Sequence, residues 1–122
     1  MSARVLVVDD SGLARRNARR ILEAAQYEVL EAEDGLTALE QYFVHKPALV
    51  ILDLVMKGMY GLDVLARLRQ LDPAARVIVV SADIQTSSRE MVETGGGVAF
   101  LSKPVQAEAL LDAVRKALQD EA

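Results

Sequence analysis

The chain has 122 residues, 52% of them hydrophobic, which is enough for one domain with a continuous core. It contains no cysteine and a single histidine, His45, so disulfides, thiol chemistry and multi-histidine zinc sites are excluded. The formal net charge of -4 argues against direct nucleic-acid binding, and the lack of a signal peptide or a membrane-length apolar run predicts a cytoplasmic protein without membrane insertion.

Five short segments rich in Val, Ile and Leu predict β-strands at fairly even intervals along the chain. They are RVLVV (4–8), EVLEA (28–32), ALVIL (48–52), RVIVV (76–80) and VAFL (98–101). Four of the five are almost continuously apolar, which is typical of parallel strands that are covered on both faces of the sheet.

The segments between and after the strands show helical periodicity. Apolar residues at helical spacing predict the inner faces of four helices: Ala14, Ala18, Ile21, Leu22 and Ala25; Leu36, Leu39 and Phe43; Leu62, Leu65 and Leu68; and Ala107, Leu110, Leu111, Val114 and Leu118. A further helix over residues 85–94 has a weaker pattern and is followed by three glycines. Strand and helix therefore alternate five times, which predicts an α/β fold of (βα)5 type with a parallel sheet and helices on both faces.

Polar residues stand where the predicted strands end. Asp9 and Asp10 follow the first strand, Asp53 the third, Ser81 the fourth and Lys103 the fifth. In isolation an Asp there is ordinarily an N-cap, a Ser a turn residue and a Lys a surface charge. Ligands of open parallel sheets, however, bind at the carboxyl ends of the strands, so five such residues together indicate a site. Three neighbouring carboxylates repel one another unless a cation is present, and hard oxygen ligands suit Mg²⁺.

The blocks VLVVDDS, VILDLVMKGMYGLDVL, VIVVSAD and FLSKP, in this order and spacing, resemble those of response regulator receiver domains. The similarity is to the chemotaxis-type, stand-alone regulators of two-component signalling, and it covers essentially the whole chain. It implies one receiver domain over residues 1–122 with no effector domain. It also implies a flavodoxin-like, doubly wound sandwich whose five-stranded parallel sheet has the order 2-1-3-4-5.

By this resemblance Asp53 is the phosphoacceptor, which takes a phosphoryl group from a histidine kinase or a histidine phosphotransfer protein. Mg²⁺ is expected as the cofactor. The resemblance implies that Asp10, Asp53 and the main-chain oxygen of Val55 bind the ion, with Asp9 contributing through water. Phosphoryl transfer depends mainly on positioning and on neutralising charge at the phosphoryl oxygens, which a divalent ion and a lysine can both provide.

The same resemblance assigns Ser81 and Lys103 to the phosphoryl site beside Asp53, and the phosphorylation switch to Ser81 and Phe100. Ser81 is expected to hydrogen-bond the phosphoryl group and Lys103 to pair with it, while the Phe100 ring reports the position of the Ser81 hydroxyl. The Lys103–Pro104 peptide bond is a candidate for the cis form. Lys57 and Tyr60 depart from the commonest family pattern.

The resemblance implies a signalling phosphoacceptor rather than an enzyme, one that catalyses only its own phosphotransfer and autodephosphorylation. We expect it to signal by phosphorylation-dependent binding of a downstream protein on the face formed by the helix at 85–94, the last strand and the last helix. The alternatives are a phosphorelay intermediate or phosphate sink, and a scaffold that is not phosphorylated. The complete set of five site residues argues against the scaffold.

One further pattern is a basic stripe on the first helix, formed by Arg15, Arg16, Arg19 and Arg20. A solvated helix face is the ordinary explanation for such a stripe. The functional alternative is a docking surface for an acidic partner, since the stripe is close in sequence to the acidic residues.

Overall fold

The computed structural model describes residues 3–56, 61–82 and 99–119 and has a five-stranded parallel sheet in this part of the chain. The strand order is β2-β1-β3-β4-β5, as the family resemblance implies. Each strand begins within one residue of its predicted start: β1 Arg4–Val8, β2 Glu28–Ala32, β3 Leu49–Asp53, β4 Val77–Ser81 and β5 Ala99–Ser102.

Four helices connect or follow these strands within the described residues: α1 Gly12–Ala24, α2 Gly35–His45, α3 Gly61–Leu71 and α4 Ala107–Gln119. The helix predicted at 85–94, the glycines after it, and Lys57 and Tyr60 lie outside the described residues. Among the helices described, none is both long and apolar enough to cross a membrane.

Helix α1 begins one residue later than the N-cap interpretation of Asp10 implies. The cap is Ser11, whose backbone is extended and whose hydroxyl accepts a hydrogen bond from the Ala14 N–H at 3.2 Å. Helix α2 is capped in the same way by Asp34, whose carboxylate accepts from the Thr37 N–H. A hydroxyl or carboxylate at this position satisfies one of the N–H groups that a helix start leaves without a partner. The N-cap of α1 is therefore Ser11 and not Asp10.

The alternation of side chains along each strand builds two separate cores, one on each face of the sheet. In β1, Leu6 and Val8 face α2 and α3, whereas Val5 and Val7 face α1 and α4. All five residues of β3 and of β4 are buried. Apart from Asp53 and Ser81 at their carboxyl ends, the buried residues of β3 and β4 are apolar, so the sheet is packed between two helical layers.

Helix α2 presents a different face to the sheet from the one that its large apolar residues predict. Its buried positions are Gly35, Ala38 and Tyr42, whereas Leu36 and Phe43 are 66% and 70% exposed. The prediction that Leu36 and Phe43 line the core is therefore wrong. The buried Tyr42 donates its hydroxyl to Asp72 Oδ2 at 2.7 Å, and this partner lies 30 residues further along the chain. A tyrosine can be buried once its hydroxyl has a partner, and here the partner is not local in sequence.

Candidate functional site

The carboxyl ends of four neighbouring strands bring the predicted site residues to one edge of the sheet. Asp9 directly follows β1, Asp53 and Ser81 are the last residues of β3 and β4, and Lys103 directly follows β5. The Lys103 N–H donates to the main-chain oxygen of Ser81 at 2.9 Å, which ties the ends of β4 and β5 together. Parallel pairing thus turns residues that are far apart in sequence into one cluster.

Asp9, Asp10 and Asp53 form the acidic part of this cluster. Each offers a carboxylate oxygen, and these oxygens all lie within 4.8 Å of one another. Asp9 and Asp53 are each 6% exposed, whereas Asp10 is exposed. Main-chain N–H groups orient two of the carboxylates, since Ser11 donates to Asp9 at 2.9 Å and Val55 donates to Asp53 at 3.3 Å.

Burial, and then the charge of Asp9, raises the pKa of Asp53 to about 6, although Lys103 and the Val55 N–H act in the opposite direction. The ionised form of Asp53 is therefore costly in this setting. An additional cation near the cluster would lower that cost.

Lys103 supplies one positive charge to the cluster. Its Nζ lies 2.8 Å from Asp9 Oδ2 and 3.3 Å from Asp53 Oδ2. Burial lowers the pKa of Lys103, but the hydrogen bond to Asp9 and the charge of Asp53 outweigh burial, so its pKa lies above the ordinary value. The Lys103–Pro104 bond is cis, as predicted from the family resemblance. Here the ammonium group bridges two carboxylates, in the position where the sequence predicts contact with a phosphoryl group.

The donor set fits a hard divalent cation. Three ionised carboxylates and one ammonium leave a net charge of about -2 in the cluster, and all the available donors are oxygens, which Mg²⁺ prefers. Asp9, Asp10 and Asp53 are the side chains that could hold such an ion. The N–H of Val55 contacts Asp53, and the role predicted for the Val55 carbonyl oxygen stays a prediction.

Ser81 and Phe100 lie at and near the ends of adjacent strands. Ser81 is 1% exposed, and Phe100 is partly buried against the core that also contains α2 and α3. In the β4–β5 register, Val79 is opposite Phe100 and Ser81 is opposite Ser102. Ser81 thus ends the strand beside Asp53, whereas Phe100 lies on β5 two positions before Ser102, the residue opposite Ser81.

Gly61 supports the site, and sequence reasoning did not identify it. Its N–H donates to the Leu54 carbonyl at 2.8 Å, and a Cβ built on it would lie 2.6 Å from Leu54 O and 2.7 Å from Asp53 O. Only a residue without a side chain lets α3 begin this close to the chain that carries Asp53. The signal in the sequence was a glycine within the block that contains Asp53, and a glycine by itself does not reveal a backbone contact.

The basic stripe of α1 is mostly paired within the domain. Arg15 and Arg19 bind opposite oxygens of Glu31 at 3.0 Å and 2.6 Å, and Arg19 also contacts Glu23 at 3.1 Å. Arg20 donates to Asn17 at 2.8 Å. These contacts account for three of the four arginines without a docking partner.

Comparisons with known proteins agree with this arrangement. The family model described as response regulator receiver domain matches residues 5–115. The chemotaxis protein CheY of Bacillus subtilis (strain 168) is 39% identical over 119 residues, which are 97% of this chain and 99% of that protein.

Two solved structures are similar over nearly the whole fold. The CheY-like response regulator receiver domain protein from Methanospirillum hungatei JF-1 has a TM-score of 0.93 at 25% identity, covering 98% of this chain and 96% of that one. The CheX–CheY–BeF3–Mg+2 complex from Borrelia burgdorferi has a TM-score of 0.90 at 28% identity, covering 93% of this chain and 87% of that one. With the strand order, these likenesses confirm the predicted flavodoxin-like fold, and the chain belongs to the response regulator receiver domain family of two-component signalling.

Proposed function

We propose that this domain takes a phosphoryl group onto Asp53 from a histidine kinase or a histidine phosphotransfer protein, with Mg²⁺ as cofactor, and that it signals by phosphorylation-dependent protein binding. The observation that carries the proposal is the position of Asp53, a buried carboxylate at the end of β3 with Asp9, Asp10 and Lys103 around it. The family membership supports the same chemistry. We further propose that the domain works in the cytoplasm.

Asp53 is suited to act as the nucleophile because its carboxylate is mostly ionised at neutral pH, even with its pKa at about 6. One carboxylate oxygen attacks phosphorus, the phosphorus–nitrogen bond of the donor phosphohistidine breaks, and an aspartyl phosphate forms. The Val55 N–H and the Lys103 ammonium orient different oxygens of Asp53, at Oδ1 and Oδ2 respectively. Positioning of this kind supplies much of the catalysis in phosphoryl transfer.

Asp9, Asp10 and Asp53, with the main-chain oxygen of Val55, would hold the Mg²⁺ ion. When bound, the ion supplies positive charge against the phosphoryl oxygens. The Borrelia burgdorferi complex contains both Mg+2 and BeF3, a phosphoryl mimic, together with a protein of this fold. That complex also supports a protein partner as the output, since it pairs its CheY with CheX.

Ser81 and Lys103 would respond to the new phosphoryl group. Lys103 already spans Asp9 and Asp53, so a phosphoryl group on Asp53 offers it a more strongly charged partner. The Ser81 hydroxyl is buried at the end of the adjacent strand, and its movement would change the space near Phe100. The output face predicted to include residues 85–94 stays a proposal, because that segment is outside the described residues.

The phosphoacceptor assignment is tested by incubating the domain with acetyl phosphate and Mg²⁺ and mapping the modified peptide by mass spectrometry. Wild-type protein should gain one phosphoryl group on the peptide that contains Asp53, and Asp53→Asn should gain none. The matched control is Asp63→Asn, which changes an exposed aspartate in the first turn of α3 and should leave labelling unchanged. Full labelling of Asp53→Asn would contradict the proposal. Phosphate lifetime and back-transfer to the donor protein then separate a switch from a relay intermediate or a phosphate sink.

A further inference from the structure

Arg15 connects the turn formed by Asp9 and Asp10 to neighbouring elements of the domain. Arg15, in the first turns of α1, donates through one terminal nitrogen to the main-chain oxygen of Asp9 at 2.7 Å. Through Nε it donates to Glu31 Oε1, on β2, at 3.0 Å. The side chain is 19% exposed, so both contacts are partly shielded from water. Arg15 therefore links α1 and β2 to Asp9, the first residue of the Asp9–Asp10 turn.

The contact with Asp9 fixes a particular peptide group. Asp9 has left the β1 strand, and its N–H is held by the Ala32 carbonyl at 3.1 Å. The Asp9 carbonyl belongs to the peptide plane that joins Asp9 to Asp10, so the hydrogen bond from Arg15 determines how that plane is turned. The orientation of the plane in turn sets where the Asp10 side chain begins. Two of the three carboxylates of the cluster are carried by this turn.

Because Glu31 neutralises part of the Arg15 charge, Arg15 affects the Asp9–Asp10 turn mainly through the geometry of its hydrogen bonds. The second oxygen of Glu31 accepts from Arg19 at 2.6 Å, so the carboxylate is held from two sides. Burial raises the pKa of Glu31, but the hydrogen bonds from Arg19 and Arg15 outweigh it and hold the pKa below its ordinary value. The ionised Glu31 neutralises part of the guanidinium charge and restricts the rotation of Arg15. A planar guanidinium can serve two acceptors at once in fixed directions, which a lysine ammonium on a flexible stem cannot reproduce.

We propose that Arg15 is a positioning residue for the divalent-cation site: it acts through the Asp9–Asp10 peptide group and is itself held by Glu31. The inference rests on the proposed function, in which Asp9, Asp10 and Asp53 hold Mg²⁺. Residues that orient metal ligands typically change metal affinity by about 10- to 100-fold when they are substituted. The same range applies to a conservative change if it removes the contact with Asp9.

The test compares Arg15→Lys with Arg19→Lys by measuring Mg²⁺ affinity calorimetrically. Both variants keep the charge and both lose a contact with Glu31, but only Arg15 contacts Asp9. We expect Arg15→Lys to raise the Kd for Mg²⁺ by about 10-fold or more and Arg19→Lys to change it by less than about 2-fold, even where the two lower the melting temperature equally. Arg16→Lys, an exposed position on the same helix, is the control for the helix surface.

A second readout needs no metal. In the metal-free protein, the amide resonances of Asp10 and Ser11 should shift in Arg15→Lys and stay near their wild-type positions in Arg19→Lys. If the wild type binds Mg²⁺ and Arg15→Lys binds it equally well, the inference is wrong and the proposed function stands. If the wild type binds no Mg²⁺, the proposed metal site fails and the inference fails with it. Equal losses of affinity in Arg15→Lys and Arg19→Lys would assign the effect to Glu31 and overturn the role of the Asp9 contact.

Discussion

At the scale of single residues, the site depends on groups that carry no reactive chemistry themselves. Asp53 is oriented by the Val55 N–H, Asp9 by the Ser11 N–H, and the chain after Asp53 is approached closely by Gly61. Small displacements of such supports move reacting groups, and in catalysis a misplacement of about 1 Å can cost about 100-fold in rate. The supporting residues are therefore as open to test as the carboxylates.

Gly61→Ala should destabilise the domain and disturb the site. The added Cβ would lie 2.6 Å from both the Cα and the carbonyl oxygen of Leu54, and backbone atoms at the end of a buried strand cannot move aside cheaply. We expect a loss of about 1–3 kcal/mol in the free energy of unfolding, measured by urea denaturation, with weaker Mg²⁺ binding.

Gly12→Ala is the matched control, since Gly12 is likewise the first residue of its helix. Its Cβ would meet only the flexible ends of Arg16 and Arg15, at 3.4 Å and 3.6 Å. The free energy of unfolding should change by less than about 0.5 kcal/mol. Equal effects of the two substitutions would show that the close approach to Leu54 has no special importance.

At the scale of elements, helix α2 is held by one polar contact and by small inner residues. Tyr42 is buried and donates to Asp72, which follows α3, so the two helices on this face of the sheet are tied at the same end. The hydrogen bond from Tyr42 lowers the pKa of Asp72, and the Ala74 N–H lowers it further. Burial, and then the bond to Asp72, raises the pKa of Tyr42 above its ordinary value.

Tyr42→Phe should lower stability in a pH-dependent way. The folded pKa of Asp72 is depressed below its ordinary value of 3.8, so its stabilising contribution is present above about pH 4 and is lost as the pH falls further. Because Asp72 is largely solvated, we expect a loss of about 1 kcal/mol at pH 7 that shrinks toward pH 2. Urea denaturation at several pH values measures it, with Tyr27→Phe on the opposite face as control. A loss that is the same at pH 7 and pH 2 would contradict this account of Asp72.

Phe43→Gln tests which face of α2 meets the sheet. The Phe43 ring is 70% exposed, and glutamine is at least as good a helix former, so the free energy of unfolding should stay within about 0.5 kcal/mol of wild type. Leu65→Ala, which empties a fully buried position on α3, should cost about 2–5 kcal/mol in the same assay. If Phe43→Gln lost as much stability as Leu65→Ala, the Phe43 ring would have to be packed in the core.

At the scale of the whole molecule, the apolar cores and the charged site lie on different parts of the sheet. The two cores cover its faces, and the site occupies the edge where the strands end. Burial and the charge of Asp9 raise the folded pKa of Asp53 from its ordinary value of 3.8 to about 6. The folded state therefore binds this proton more tightly than the unfolded state does. Between about pH 4 and pH 6, ionisation of Asp53 should reduce the stability of the metal-free domain as the pH rises.

We expect this loss to be about 1–3 kcal/mol, seen as the difference between wild type and Asp53→Asn in urea denaturation across that pH range. Glu31 and Asp72 have depressed pKa values, which make stability change with pH in the opposite direction. Both proteins contain these acids, so their contributions cancel when the two free energies of unfolding are subtracted. Above pH 6, Mg²⁺ should restore stability to the wild type by RT ln(1 + [Mg²⁺]/Kd) and restore much less to Asp53→Asn. A wild type that responds to pH and Mg²⁺ in the same way as Asp53→Asn would contradict a costly charge at this position.

The sequence alone was enough to predict the strands and the polar residues that meet at one edge of the sheet. Near-continuous apolar runs are a local signal of buried parallel strands, and their predicted starts agree with the structure to within one residue. Asp9, Asp53, Ser81 and Lys103 end or directly follow these strands, so parallel topology was enough to predict that they meet. The strand order and the chemical roles came from the family resemblance, because neither periodicity nor composition specifies which strands are neighbours.

Only the tertiary structure decided how the elements are turned and what supports the site. The inner face of α2 depends on Asp72, the orientation of the Asp9–Asp10 turn on Arg15 and Glu31, and the space beside Asp53 on Gly61. Each of these contacts joins residues that are separated along the chain, or involves a backbone group whose direction no residue type reveals. Local patterns report which side chains prefer burial, whereas the partner that makes burial or orientation favourable is known only once the chain has folded.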